Sequence, residues 1–190
     1  GCDPVAVLER VALAAMTIWD GHDSRLRPTI EHFRNARILE AALGIVEPLV
    51  PDGGGEPVVL GNAFQDYHDL GRRIIGITLR ASGFRVVDLG LGVPNEAFVE
   101  AVREHDARIV GVSTLLLHTA KHLPLLREQL DGAGLRDVAL IAGGAPFLVD
   151  PKLCQRFCVD GVARDPAGAV RLVRSLLSER RRSTSSRRAA

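Results

Sequence analysis

The 190-residue chain can bury one full core, with room for a small accessory unit beside it. A hydrophobic fraction of 46% and a charged fraction of 25% are those of an ordinary globular protein, and no apolar run approaches the roughly 20 residues of a membrane span. The net charge of +1 conceals a split: Arg180, Arg181, Arg182, Arg187 and Arg188 crowd the C-terminal end, so the remainder is mildly acidic and gives no support to nucleic-acid binding by the core.

The N-terminal stretch to about residue 50 reads as a helical cap. Val5, Leu8, Val11, Ala12, Ala15 and Ile18 recur near a 3.6-residue period, and a turn at Gly21-His22-Asp23-Ser24 follows. A second helix carries Ile30, Phe33, Ile38, Leu39, Ala42, Leu43 and Val46. Two helices bury little by themselves, so the segment leans on the rest of the chain. Residues 51–56, with Pro51-Asp52-Gly53-Gly54-Gly55, form the clearest linker.

From residue 57 to 178 short apolar runs alternate with amphipathic stretches. Strands are expected at 58–61, 84–89, 107–112, 138–142 and 161–163. Helices are expected at 70–82, 95–105, 120–130, 150–157 and 166–178. This alternation predicts an α/β fold, a doubly wound five-stranded parallel sheet covered by helices on both faces. Scarce aromatics and abundant Leu, Val, Ile and Ala suit such buried strands. The Arg- and Ser-rich stretch 179–190 has no periodicity and reads as a disordered, solvated tail, with a nucleic-acid arm as the other reading. Cys2, Cys154 and Cys158 form no metal-binding array and read as thiols of a reducing cytosol. The chain opens Gly1-Cys2 with neither methionine nor leader, which reads as a trimmed or partial start.

Ligands of such sheets sit at the carboxyl ends of the strands, and three of those ends hold unusual residues. After the first strand comes Asp66-Tyr67-His68-Asp69-Leu70-Gly71, after the third Ser113-Thr114-Leu115, and after the fourth Gly143-Gly144. One imidazole nitrogen of His68 can bind a metal while the other donates to a carboxylate two residues away. A loop histidine capping a helix beside its aspartates is the alternative. Gly71 lets a large planar ligand approach the backbone, and Gly143 and Gly144 leave room for a ligand's tail.

The order and spacing Asp66-x-His68-x-x-Gly71, Ser113-x-Leu115 and Gly143-Gly144 resemble the signature of the cobalamin-binding domain, shared by methionine synthase, corrinoid methyl carriers and B12-dependent mutases. The likeness covers residues 57 to 178, and implies a flavodoxin-like variant of the Rossmann arrangement. Asp88-Leu89-Gly90, Val93-Pro94, Val112 to Leu116, Gly143 to Pro146 and Asp165 to Val170 resemble the cognate corrinoid proteins of methyltransferase systems most. That resemblance implies a cobalamin cofactor with His68 as lower axial ligand to cobalt. Asp66 would bond to His68, with Ser113 completing a proton relay, while Gly71, Leu115, Gly143 and Gly144 line the groove for the nucleotide tail. The cobalt would cycle between Co(I) and methyl-Co(III) as the protein serves a substrate:corrinoid methyltransferase and a second methyltransferase. The protein would bind and tune while the corrinoid performs the chemistry.

Some residues depart from that pattern. The family commonly carries a small or acidic residue where Phe64-Gln65 stand, and lysine then asparagine where Arg72-Arg73 stand. His118, near the expected corrin face, reads as a second ligand or proton donor, or as a packed or solvated histidine. Trp19 with Glu31-His32 resembles the upper-face residues of light-sensing cobalamin-dependent regulators. Its alternative is a core tryptophan beside a solvated polar pair. The two functions in play are therefore a methyl carrier and a light-responsive antirepressor.

Overall fold

Strands that are apolar along their whole length must bury both faces, and a parallel sheet with helices on each side does this. The computed structural model describes residues 6, 10, 28–150 and 152–188, and in it five strands form one all-parallel sheet. They are β1 (Pro57–Asn62), β2 (Arg85–Asp88), β3 (Ile109–Ser113), β4 (Ala139–Gly143) and β5 (Gly161–Ala163). Their order, β2-β1-β3-β4-β5, is the flavodoxin-like one. The expected fold class is the observed one. The helices are α1 (Pro28–Val46), α2 (Leu70–Ala81), α3 (Asn95–His105), α4 (Leu117–Ala120), α5 (Leu123–Gly132), α6 (Ala145–Val149), α7 (Leu153–Arg156) and α8 (Pro166–Arg188).

The two-residue period of a strand sorts its side chains into two cores. Val59, Val110, Val112, Leu140 and Ala142 face one side, where they meet Phe98, Val99 and Val102 of α3 and Leu123, Leu126 and Leu130 of α5. Val58, Leu60, Ile109, Ala139 and Ile141 face the other, against Leu79 of α2 and Val170, Val173 and Leu177 of α8. Each fully buried side chain of this size contributes roughly 1.5–3 kcal/mol.

Leu43 and Val46, buried side chains of α1, belong to a third cluster, separate from the two sheet cores. With Val50 they pack on Ile77, Ile74 and Leu70 of α2. A short 3-10 turn, Glu47–Leu49, follows α1. There Glu47 accepts from Arg73 (Nη2, 2.8 Å) and Arg80 (Nη2, 3.2 Å), fastening α1 to the outer face of α2. Apart from residues 6 and 10, which are helical, the first expected helix and the turn after it lie outside the described residues.

Proline accounts for two differences from the expected elements. The helix expected over 120–130 is two, α4 and α5. Pro124 sits in the first turn of α5, where a missing N–H costs nothing, whereas within a continuous helix it would clash with the preceding turn. The helix expected over 150–157 is shortened to α7, and a further helix, α6, which was not expected, precedes it. Asp150 stands before Pro151 and adopts an extended ψ of 98°, separating α6 from α7. A third difference lies at the C-terminal end: α8 runs to Arg188 rather than stopping at Ser178. Glu and Arg are good helix formers, and a helix already nucleated by packing propagates through them without an apolar stripe.

Candidate functional site

The chain leaves β1 towards β2 on one side and leaves β3 towards β4 on the other. The sheet therefore changes direction between β1 and β3, and a crevice opens above their carboxyl ends. Asn62 at the end of β1 pairs in register with Ser113 at the end of β3, and Ser113 with Gly143 at the end of β4. The three expected motifs thus stand side by side. The loop from Ala63 to Asp69 is tied down by its backbone. The Ala63 N–H donates to the Ser113 carbonyl (3.0 Å), and the Asp66 carbonyl accepts from Gly92 (2.9 Å). Gln65, with φ 63°, takes the left-handed turn between them.

Asp66 spans the crevice. Only 1% exposed, it accepts at Oδ1 from the His68 N–H (3.1 Å), the His68 Nδ1 (3.1 Å) and, longer, the Asn62 amide (3.4 Å). Its Oδ2 accepts from the Leu115 N–H (2.6 Å) and the Thr119 hydroxyl (3.1 Å). Burial pushes this carboxyl up, but the donors from Leu115, His68 and Thr119 outweigh it and hold Asp66 below the ordinary carboxylate range.

An ionised Asp66 selects the tautomer of His68. A carboxylate only accepts, so Nδ1 is the nitrogen that donates, and in the neutral imidazole Nε2 carries the lone pair. The side chain of His68 is 55% exposed, and Nε2 has no hydrogen-bond partner among the described residues. A bare metal ion needs about three or four protein donors, and no group of three His, Cys, Asp or Glu side chains among the described residues provides them. The donor set instead suits a metal whose equatorial positions are already filled by a macrocycle.

A second network, buried at Asn62 and Arg72, holds the loop from below. The Asn62 amide donates to the His68 carbonyl (2.9 Å) and accepts from Arg72 Nε (2.8 Å). Arg72, 7% exposed, pairs with Asp88 at the end of β2, and Asp88 accepts from the Gly90 N–H (2.9 Å).

A family model for the B12 binding domain matches residues 56–173, more than half of the chain. This chain belongs to that family. Trimethylamine corrinoid protein 1 of Methanosarcina acetivorans is 31% identical over 157 residues, spanning 79% of this chain and 73% of that protein. Among solved structures, a cobalamin-binding protein from Desulfitobacterium hafniense is 28% identical with a TM-score of 0.61, over 91% of this chain and 82% of that one. The monomethylamine corrinoid protein of Methanosarcina barkeri shares the fold at a TM-score of 0.74 and 23% identity, over 91% and 84%. The cofactor of this B12-binding domain is a cobalamin-type corrinoid.

Its remaining expected site residues fall in several settings. Gly71, in the first turn of α2, is exposed, and a Cβ built there meets nothing within 4 Å, so the fold itself leaves that space open. Gly144 is required by the fold: its φ is 116°, and a Cβ would stand 1.8 Å from the Thr114 carbonyl oxygen. Gly143 bonds through its carbonyl to the Thr114 N–H (2.9 Å), and Leu115 uses its own N–H on Asp66. Ser113 is half-buried, and its hydroxyl is not among the donors to Asp66. Asp69 starts α2 and pairs with Arg73 (3.8 Å). His118 is exposed on α4 and makes no hydrogen bond or ion pair with the described residues. Trp19 lies outside the described residues, and of Glu31 and His32 only the helical backbone is described.

Reading by sequence missed Asn62, Arg72, Asp88 as an ion-pair partner, and Thr119. One signal was present: an asparagine ends the otherwise apolar run Pro57 to Gly61. Two departures from the family pattern have local causes. The Phe64 ring meets His122 edge-on (5.5 Å between centroids), and Arg72 and Arg73 carry the two networks described above. Exposed apolar side chains gather on the segments that follow β1 to β4: Phe64, Tyr67, Leu91 and Leu116 on loops, Leu117 on α4 and Leu148 on α6. They give the crevice the apolar rim that a large, mostly apolar ligand requires.

Proposed function

We propose that this B12-binding domain is a methyl carrier, receiving a methyl group from a substrate:corrinoid methyltransferase and passing it to a second methyltransferase, with His68 Nε2 as the lower axial ligand to cobalt. One observation carries the reading: at the switch-point crevice His68 Nδ1 lies 3.1 Å from Oδ1 of the buried Asp66, which leaves Nε2 as the ring nitrogen available to a metal. When bound, the corrinoid supplies a cobalt centre able to take up and release a methyl group. The protein's part is to hold and orient. Asn62, Arg72 and Asp88 fix the loop that bears His68. Gly71, Leu115, Gly143 and Gly144 frame the groove, and the apolar rim keeps water from the reacting face. The light-sensor reading rests on Trp19, Glu31 and His32, whose side chains lie outside the described residues.

Loading wild-type and His68→Ala protein with hydroxocobalamin tests the ligand. The wild type is expected to show the spectrum of a histidine-ligated corrinoid with the cofactor's own base displaced, and the variant to lose it. An unchanged spectrum would remove His68 from the cobalt. For the carrier role, reduced holo-protein is expected to take up a methyl group from a methylated substrate in the presence of a corrinoid methyltransferase. Failure with methylamine, methanol, betaine and methoxyarene enzymes alike would refute it.

A further inference from the structure

We infer that Tyr67, the residue between Asp66 and His68, binds the corrin macrocycle, its ring forming a preset wall of the crevice. Its side chain is 68% exposed, whereas the preceding Asp66 is buried. An exposed ring on a loop is ordinarily free to move, but here the backbone on both sides is pinned. The Asp66 N–H donates to the Ala63 carbonyl (2.9 Å), and the Asp66 carbonyl accepts from the Gly92 N–H (2.9 Å). The His68 N–H donates to Asp66 Oδ1 (3.1 Å), and the His68 carbonyl accepts from the Asn62 amide (2.9 Å).

The ring is seated as well. A Cβ built on Gly92 would lie 3.0 Å from Tyr67 Cε1, 3.3 Å from Cζ and 3.5 Å from the hydroxyl oxygen, so one edge of the ring rests on the Gly92 backbone. That seat is itself fixed, because the Gly92 and Val93 N–H groups donate to the Asp66 and Asn62 carbonyls (2.9 and 3.0 Å). It follows β2, at the carboxyl edge of the sheet, where the crevice opens. A macrocycle spreads to every side of its metal, and neighbouring Cα atoms are only about 3.8 Å apart. A cobalt held at His68 therefore brings the corrin over the adjoining residue. A tyrosine ordered before the ligand arrives offers apolar area at little further cost in side-chain freedom. The contact is with the macrocycle rather than the nucleotide tail: Gly92 follows β2 on one side of β1, and Gly143 and Gly144 stand at the end of β4 on the other.

This inference rests on the corrinoid lying at the His68 crevice, and the experiment separates the two readings. Full-length protein is titrated with hydroxocobalamin and with aquocobinamide, which has the macrocycle but no nucleotide tail. Tyr67→Ala should weaken both about tenfold, the effect of one aromatic face no longer removed from water. At saturation with hydroxocobalamin it should keep the wild-type spectrum, and Tyr67→Phe should bind both ligands as wild type does. Wild-type affinity of Y67A for aquocobinamide overturns the inference. So does an altered spectrum at saturation, which would make Tyr67 a support of the loop and not a ligand contact. A second measurement needs no variant, because Tyr67 is the chain's single tyrosine and 3-fluorotyrosine labels it alone. Reducing the bound corrinoid to paramagnetic Co(II) should shift and broaden that fluorine resonance. A resonance unchanged from the Co(III) form overturns the inference, and this result decides it should Y67A fail to fold by circular dichroism. A wild-type spectrum in loaded His68→Ala protein refutes the ligand reading alone, and the fluorine resonance decides the Tyr67 contact separately.

Discussion

Replacing Asp66 by asparagine keeps the shape and removes the charge, and the hydrogen bonds around it dictate what must follow. Both carboxylate oxygens face donors: the His68 N–H and Nδ1 on one side, the Leu115 N–H and Thr119 hydroxyl on the other. Asparagine offers an oxygen to only one pair and turns an NH2 on the other. If the oxygen keeps Leu115, its shortest partner at 2.6 Å, the NH2 faces the His68 N–H, donor against donor. That NH2 also faces Nδ1, which can accept only by moving its proton to Nε2. The change should thus cost about 3 kcal/mol of stability, from one unsatisfied buried donor and the lost charge-assisted bonds. It should also block the nitrogen proposed to bind cobalt. Urea denaturation of the apoprotein reads the first effect, and a hydroxocobalamin titration followed by absorbance reads the second. An Asp66→Asn protein within about 0.5 kcal/mol of wild type and spectrally identical when loaded would refute this role for Asp66, since only a surface-like substitution is that mild.

Gly71→Ala should separate ligand from fold. With open space around a Cβ there, the helix gains roughly 0.5–1 kcal/mol, while hydroxocobalamin binds more weakly; equal affinity in a titration would remove Gly71 from the groove. Gly144→Ala meets the Thr114 oxygen and a φ closed to other residues, so it should cost about 3 kcal/mol or more, a drop of roughly 6–12 °C in the melting temperature. Glu47 bears on pH dependence. Its burial raises the carboxyl's pKa, but the hydrogen bonds and charges of Arg73 and Arg80 bring it below the ordinary carboxylate value. A depressed carboxyl contributes stability that is present above its unfolded pKa and is lost as the pH falls through the folded one. Glu47→Gln should therefore flatten the acid limb of the stability curve, and a limb as steep as wild type would deny the ion pairs that role.

The residues that carry local chemistry were legible along the chain. Apolar runs of three to six residues alternating with helical periods read as the buried strands of a βαβ succession, so the order β1 to β5 was legible without tertiary information. The spacing of Asp66, His68 and Gly71 is likewise local: the partners that meet at 3.1 Å lie two positions apart. Element ends were less legible, because a helix end depends on proline position and on what the last turn packs against, as α4, α5 and α8 show.

What the linear order could not decide is which groups meet across the crevice. Ser113 at the end of β3 and Thr119 on α4 are both small hydroxyl residues, and the resemblance pointed to Ser113. The pleat of β3 and the turn into α4 decide otherwise, placing Thr119 on an aspartate 53 positions earlier in the chain. Asn62, Arg72 and Asp88 join for the same reason. The polar groups of Asn62 and Arg72 are buried beneath the loop by the packing of β1 and α2, and burial obliges them to find partners, among them the exposed Asp88 at the end of β2. The sequence by itself determined the strands, the helices and the local pairing of Asp66 with His68. Only the tertiary structure decided which distant donors hold that histidine in place, because a buried carboxylate is satisfied by whatever the fold brings to it.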